Sequence, residues 1–479
     1  MPDTATISPP NLTIGHEHVV TAGRIDVINP ATEQSFVAVP DAGTAELDRA
    51  VASARAAAVA WRATAMADRQ EQVLRFVDVV RDHLDELALL VTLEQGKPLA
   101  KASGEIQAGL AYCSRYAEME LPVEVVRDDG DERIEIHRTP LGIAGAITAW
   151  NYPLLLALWK IGPALVAGNP VIVKPSPYTP VATLRLGELA QEVFAPGVVQ
   201  VLSGGDELGR AMTAHPEINK ISFTGSEATG KAIMASSAAS LKRLTLELGG
   251  NDAGVVLDDV DPAAIADGLY WGGLSNCGQV CAGLKRLYVP ERMAPDIEEA
   301  LAAVAATVVV GDGTKDGVDM GPIQNHSQYE RVTSLVGDAE YQGADVYFRG
   351  KAPEGPGYFH PVTLVRGISD DTALVSEEQF GPVLPILTYR DLDDAVARAN
   401  DSDLALGASV WSSDEDRGVK VAGQLEAGTV WVNQHPMLSP DVPFGGVKQS
   451  GIGVESSLHG LLGYTDITVL RVKRQGVKE

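Results

Sequence analysis

Lys220-Ile221-Ser222-Phe223-Thr224-Gly225-Ser226-Glu227-Ala228-Thr229-Gly230 changes periodicity halfway along. Lys220 to Phe223 reads as a strand, the next residues as a small-residue turn, and Ala228 to Ala239 as a helix. Glycine at such a turn lets backbone approach a phosphate, and a helix N-terminus favours an anion. The spacing is GxxxxG without the Lys-Ser/Thr of a P-loop, so it does not support nucleoside triphosphate hydrolysis. It is not GxGxxG either, and an ordinary strand-to-helix turn explains it equally well.

The same alternation extends on both sides. Val171-Ile172-Val173, Val198 to Leu202 and Leu244 to Glu247 read as strands, with helices over Thr183 to Phe194 and Leu208 to His215. Repeated βα units imply a parallel sheet with helices on its faces, binding ligands beyond the carboxyl ends of its strands. A second series runs from Ala253-Gly254-Val255-Val256-Leu257 to Val430-Trp431-Val432-Asn433, so the expected fold class is α/β with two parallel-sheet domains. Upstream lie a loose tail, a strand region from Arg24 to Val37, and a long helical region that Thr44 can cap. Glu120 to Arg138 reads as an exposed hairpin turning at Asp129-Gly130, a feature that often pairs with another subunit. Tyr464 to Lys473 reads as one more strand.

With 479 residues the chain can hold two or three domains. Its net charge of −26 argues against nucleic acid and anionic membranes as partners. Three cysteines make no disulfide framework, which points to a reducing, cytoplasmic setting. Met1 to Gly15 lacks the basic start and apolar core of a signal peptide. Thr139 to Trp159 carries no charge, yet Asn151 and Pro153 at its centre speak against a membrane span.

Two of the three cysteines fall in Asn276-Cys277-Gly278-Gln279-Val280-Cys281-Ala282-Gly283. A CxxxC with no nearby His and no second pair lacks the four ligands of a structural zinc. A buried inert thiol is the common alternative to a nucleophile. Cys277 is read as a bystander one helical turn from Cys281, with a Cys277–Cys281 oxidised pair as a minor alternative. Glu247, at a strand end before Gly249-Gly250, suits a general base once desolvated, or equally a helix-capping or salt-bridged Glu. Asn151, between an apolar strand and Pro153, can donate to an oxyanion.

Trp150-Asn151-Tyr152-Pro153, Phe223-Thr224-Gly225-Ser226, Leu246-Glu247-Leu248-Gly249-Gly250, Gly278-Gln279-Val280-Cys281, Glu378-Gln379-Phe380-Gly381-Pro382 and Pro443-Phe444-Gly445-Gly446 together resemble the aldehyde dehydrogenase superfamily, in that family's order and over nearly the whole chain. Glu247 places the resemblance with the hydrolytic, NAD(P)-dependent branch rather than the CoA-acylating one. The resemblance implies a Rossmann-like cofactor domain over 1–118 and 139–247, a catalytic domain over 248–456, and a bridging and oligomerisation arm over 119–138 and 457–479. It implies Cys281 as nucleophile, Asn151 with the Cys281 N–H as oxyanion hole, Glu247 as the base that activates water, and Glu455 as a second acid relaying protons. Lys174 and Ser176 match adenosine-ribose contacts, Gly225 and Ser226 the pyrophosphate turn, Glu378 and Phe380 the nicotinamide side, and Ile147 and Trp150 the cleft wall. Pro177 stands where many NAD-preferring relatives carry a Glu that grips the ribose. NAD is therefore the expected cofactor, with NADP accepted.

Tyr152, Leu156, Trp159, Leu274, Met437 and Phe444 match tunnel-lining positions, although such residues can equally be core. As a tunnel wall they suit neutral aliphatic or aromatic aldehydes, and His435 has no assigned role. The chain is expected to form a homodimer or homotetramer and to bind no metal. A thiol esterase or acyl-transfer enzyme, and a non-catalytic structural member of the fold, are the alternatives. The second would have lost Cys281, Asn151 or Glu247.

Overall fold

Val171–Lys174, Ile143–Ile147 and most of Ile218–Thr224 are buried strands of β-branched and small apolar residues. Burial on both faces is what a parallel sheet between helices demands. In the computed structural model, which describes residues 9–474, they form the middle of an eight-stranded sheet. Of the tail expected at the N-terminus, residues 1–8 lie outside the described residues. The spatial order is Glu17–Val19, Leu12–Ile14, Val199–Val201, Val171–Lys174, Ile143–Ile147, Ile218–Thr224, Arg243–Glu247 and Gly451–Ile452. The five central strands run parallel. The outer strands are antiparallel. Phe223 faces Ile147 on one side and Leu246 on the other, so three strands end level, at one edge.

A second sheet of seven strands follows the order Asp345–Arg349, Thr363–Arg366, Val383–Tyr389, Leu284–Pro290, Asp252–Val256, Gly407–Trp411 and Thr429–Val432. All neighbours are parallel except Asp345–Arg349, which lies antiparallel at the edge. The first sheet has one apolar core and the second has two, and a small fourth cluster joins the sheets around Trp159, Trp431 and Phe444.

The hairpin at Asp129 is formed by Glu124–Asp128 and Glu132–Pro140. The Asp129 carboxylate accepts the N–H groups of Asp131 and Glu132, which closes the turn. Thr465–Lys473 pairs along the whole of Glu132–Pro140, from Thr465 opposite Pro140 to Lys473 opposite Glu132.

Several local expectations need correction. Arg24 to Val37 is two strands, Arg24–Asn29 and Gln34–Pro40, folded on each other. Thr44 does not cap its helix. Gly43 is the capping residue, and its N–H donates to the Glu46 carboxylate at 2.9 Å. Thr44 instead opens the helix. The long helical region is four helices, Thr44–Ala63, Met66–Asp82, Leu84–Gln95 and Leu99–Ala117. Gly96, at φ 99°, ends the third in the left-handed conformation that glycine adopts without steric cost. Thr139 to Trp159 becomes a strand end, a second strand and the start of helix Pro153–Val166. Among the described residues no helix is long and apolar enough to cross a membrane.

Candidate active site

The loop that carries Cys281 begins with three successive left-handed residues: Asn276 at φ 51°, Cys277 at 59° and Gly278 at 69°. Cys277 and Cys281 are therefore not stacked on a helix, as their spacing suggested. Each left-handed non-glycine residue costs roughly 1–3 kcal/mol, so surrounding bonds must hold the loop. Lys285 Nζ donates to the Gly278 carbonyl at 2.7 Å. A Cβ at Gly278 would fall 1.9 Å from the Gly381 carbonyl, which excludes every other residue there. This geometry sends the two thiols apart. Cys277 packs in the core of the second sheet with Tyr270 and Leu284, whereas Cys281 is partly exposed at a cleft. All three cysteines are free thiols. Leu274 goes with Cys277 into that core and is not part of the aromatic cluster beside Cys281, contrary to its expected place on a tunnel wall.

Asn151 lies between strand Ile143–Ile147 and Pro153, which opens the next helix. Its Nδ2 donates to the Gln279 carbonyl at 3.0 Å, and Asn276 Nδ2 donates back to the Asn151 carbonyl at 3.1 Å. The two loops, from different sheets, are thus laced together two residues before Cys281. The Asn151 Oδ1 atom is buried without a partner.

Glu247 is the last residue of strand Arg243–Glu247. Both carboxyl oxygens are buried with no hydrogen-bond partner. Burial, with Glu455 adding like charge and Lys160 opposing, holds this carboxyl well above its usual range. A Cβ at Gly445 would stand 3.1 Å from Glu247 Oε1, so the glycine of Pro443-Phe444-Gly445-Gly446 leaves room for the acid. The Cys281 thiol is pushed up to about 12 by burial, then by Glu247, Glu378 and Asp252. The Cys281 thiol is therefore protonated at neutral pH. Glu455 is held differently: Lys160 Nζ and Ser222 Oγ both reach its Oε1, at 2.9 and 2.6 Å. The Lys160–Glu455 pair is fully buried, and Lys160 was not singled out from the sequence. A single Lys on the otherwise apolar helix Pro153–Val166 was the available signal.

Between the strand ends of the two sheets lies a cleft of about 1000 Å³ that reaches Cys281, Asn151 and the Thr224–Glu227 turn. Ser226 caps helix Glu227–Ser237, its side chain accepting from the Thr229 N–H. Beneath the turn sits the Phe223 ring, 2.4 Å from where a Gly225 Cβ would be. The Trp150 and Phe380 rings meet edge to face at 5.3 Å on the cleft wall. Glu378 also lines it, accepting the Gly250 N–H at 3.3 Å; burial pushes its carboxyl up to about 7, against Lys285. Lys174 ends strand Val171–Lys174, and Ser176 and Pro177 follow it. Lys174 is buried with the Pro175 carbonyl as its hydrogen-bond partner, and burial lowers it to about 8. Ile147 ends its strand inside the first core.

Tyr152, Leu156, Trp159 and Phe444 form one apolar cluster against Cys281. Trp159 stands 5.0 Å from the Tyr112 ring and 6.0 Å from Phe444. Tyr112, Trp431 and Leu438 share the cluster without having been foreseen; they come from a helix, a strand and a loop that no local spacing links to Cys281. Met437 is 62 % exposed and contributes its carbonyl, which accepts from Trp431 Nε1, while Leu438 packs inward. His435 is buried with both ring nitrogens unbonded, 3.7 Å from Asp252, and burial holds it down at about 3. Among the described residues no cluster of His, Cys, Asp or Glu could hold a metal ion.

A family model described as "Aldehyde dehydrogenase family" matches residues 19–470. Phenylacetaldehyde dehydrogenase of Pseudomonas fluorescens is 39% identical over 92% of this chain and 91% of its own. Betaine aldehyde dehydrogenase of Staphylococcus aureus, solved in complex with NAD+, superposes with a TM-score of 0.93 at 31% identity, covering 98% of this chain and 96% of that one. A structure described as an E. coli NADP dependent enzyme superposes with a TM-score of 0.94 at 34% identity, covering 97% and 98%.

Proposed function

This chain belongs to the aldehyde dehydrogenase family, and from that premise we propose that it oxidises neutral aliphatic or aromatic aldehydes to carboxylic acids through a thioester on Cys281. It is an oxidoreductase; the substrate class and the residue roles are what we add. The observation that carries them is Cys281 at the junction of a dinucleotide-sized cleft and a cluster of aromatic and aliphatic side chains.

Glu247 in its carboxylate form takes the Cys281 proton, and the thiolate adds to the aldehyde carbon. The new oxyanion receives hydrogen bonds from Asn151 Nδ2, which has one hydrogen beyond that given to Gln279, and from the Cys281 N–H. Glu247 first releases the Cys281 proton towards Glu455, so that after oxidation it is again a carboxylate and draws a proton from water, which attacks the thioester and expels the Cys281 thiolate. The proton passes on towards Glu455 and Lys160, the buried pair that adjusts the charge around Glu247.

The residues fit a nicotinamide dinucleotide. A buried Lys without a carboxylate partner, a helix-capping glycine turn and an aromatic cleft wall are what a phosphate-bearing, planar ligand calls for. When bound, it supplies the hydride acceptor that the oxidation requires. Lys174 and Ser176 would hold its adenosine ribose, Gly225 and Ser226 its pyrophosphate, and Glu378, Phe380 and Trp150 its nicotinamide end. NAD is used and NADP accepted, because Pro177 offers neither a ribose acceptor nor a repelling charge. The named relatives, one bound to NAD+ and one NADP dependent, support both cofactors. In this reading the first sheet serves the dinucleotide, the second carries the nucleophile, and the three-stranded sheet joins copies of the chain.

A reduced-nicotinamide assay across an aldehyde panel tests the proposal. Phenylacetaldehyde and medium aliphatic aldehydes should give kcat/KM at least about tenfold above succinate semialdehyde, since setting a free carboxylate among apolar side chains is costly. Preference for the carboxylate-bearing substrate contradicts it.

A further inference from the structure

Lys97 lies in the turn between helices Leu84–Gln95 and Leu99–Ala117, far in sequence from every motif above. It is buried, as is its ion-pair partner Glu105 at 2.6 Å. The pair reaches the active-site loop from both its members. Lys97 Nζ donates to the Asn151 carbonyl at 2.8 Å and lies 3.7 Å from the centre of the Tyr152 ring. Glu105 Oε1 accepts the N–H groups of Leu154 and Leu155, at 2.9 and 3.2 Å, at the start of the helix that follows Asn151. The same Asn151 carbonyl also accepts from Asn276 Nδ2. The turn itself is clamped against the second sheet's loops: Leu99 N–H donates to the Gly313 carbonyl, and a Cβ at Gly321 would fall 2.0 Å from the Gly96 carbonyl.

We propose that Lys97 and Glu105 are positioning residues that aim the Asn151 amide at the Cys281 oxyanion and seat the Tyr152 ring in the substrate tunnel. The inference rests on the reading of Asn151 as the oxyanion donor. Removing two charges from water costs several kcal/mol per ion, and hydrophobic residues of similar volume commonly replace such pairs without loss of stability. The arrangement instead uses both ions to fix a short segment, Asn151 to Leu155, from which the Asn151 side chain faces the nucleophile's loop. A displacement of about 1 Å at such a donor is enough to cost on the order of 10²-fold in rate.

A double-mutant cycle on the full-length enzyme tests this. The readout is the single-turnover rate of cofactor reduction at saturating aldehyde and cofactor. Lys97→Met and Glu105→Gln should each lower it about 10- to 100-fold while leaving the cofactor KM within about threefold. Asn151→Ala should lower it about 10²- to 10³-fold. In the Asn151→Ala background, Lys97→Met should cost less than about threefold, because its effect passes through an amide that is no longer there. If Lys97→Met does not fold, Glu105→Gln, which keeps an acceptor oxygen for the helix start, replaces it in the cycle. Equal losses in both backgrounds overturn the positioning role while leaving Asn151 as the donor. An undiminished rate in Asn151→Ala overturns the oxyanion reading and this inference with it.

Discussion

Cys281 and Cys277 sit four positions apart in opposite surroundings, one at the cleft and one in an apolar core. Cys281→Ser should abolish oxidation, because a hydroxyl is a far weaker nucleophile than a thiolate. Cys277→Ser should keep most of the turnover while losing some thermal stability, since it puts a hydroxyl among apolar side chains. Steady-state assays and melting curves separate the two; full activity in Cys281→Ser contradicts the mechanism. The pH dependence follows from the same site. The Cys281 thiol is held up at about 12 by burial, so the proton that must leave it is retained at neutral pH. The single-turnover rate should therefore rise with pH from neutral into the alkaline range, and a flat or falling profile speaks against Glu247 as the base. At this scale the sequence was most legible. Asn151, Glu247 and Cys281 each stand in a short motif that carries the family resemblance, and Glu455 was reached through the resemblance alone. Lys160, Lys97, Glu105 and Tyr112 stand on ordinary helices or turns, and only folding brings them near.

In the proposed function the strand end Lys174-Pro175-Ser176-Pro177 sets the cofactor preference. With no carboxylate at Pro177, the NAD over NADP ratio of kcat/KM should lie within about 10²-fold, roughly 2.7 kcal/mol. Pro177→Glu should widen it by depressing NADP use; a far larger wild-type ratio means another group excludes the extra phosphate. Lys174 adds a sign. Burial lowers it to about 8, so it is charged below that pH and loses its attraction for a 2′-phosphate above it. The kcat/KM for NADP should then fall relative to that for NAD as pH rises through about 8. The helices were legible as apolar periodicity but not in their number. Breaks at Thr64 and Ala65, at His83 and at Gly96 to Pro98 interrupt a pattern that continues in phase on either side. The left-handed run Asn276 to Gly278 was invisible too, because a close approach to Gly381 imposes it, and spacing alone made it look helical.

Across the whole molecule, long-range pairing decided what could not be read. The hairpin around Asp129 and the strand Thr465–Lys473 were each legible, yet their pairing joins ends of the chain more than 320 positions apart, Thr139 to Asp466 for example. The return of Gly451–Ile452 to the first sheet left no mark in composition. Ile467 and Val469, 59 % and 55 % exposed on one face of the three-stranded sheet, form an apolar edge suited to a second copy of the chain. Ile467→Asp with Val469→Asp should shift the enzyme to a smaller species in sedimentation, and an unchanged species at equal concentration contradicts that assembly. The central claim is that the two sheets bring Glu247 and Cys281 into one covalent cycle. Rapid mixing of Glu247→Gln with aldehyde and NAD at alkaline pH, where some Cys281 ionises unaided, followed by intact-mass measurement, tests it most directly. The account predicts a burst of about one reduced cofactor per active site, almost no further turnover, and an acyl group retained on Cys281. Steady turnover without a burst, or a burst with no acyl group on Cys281, would contradict it.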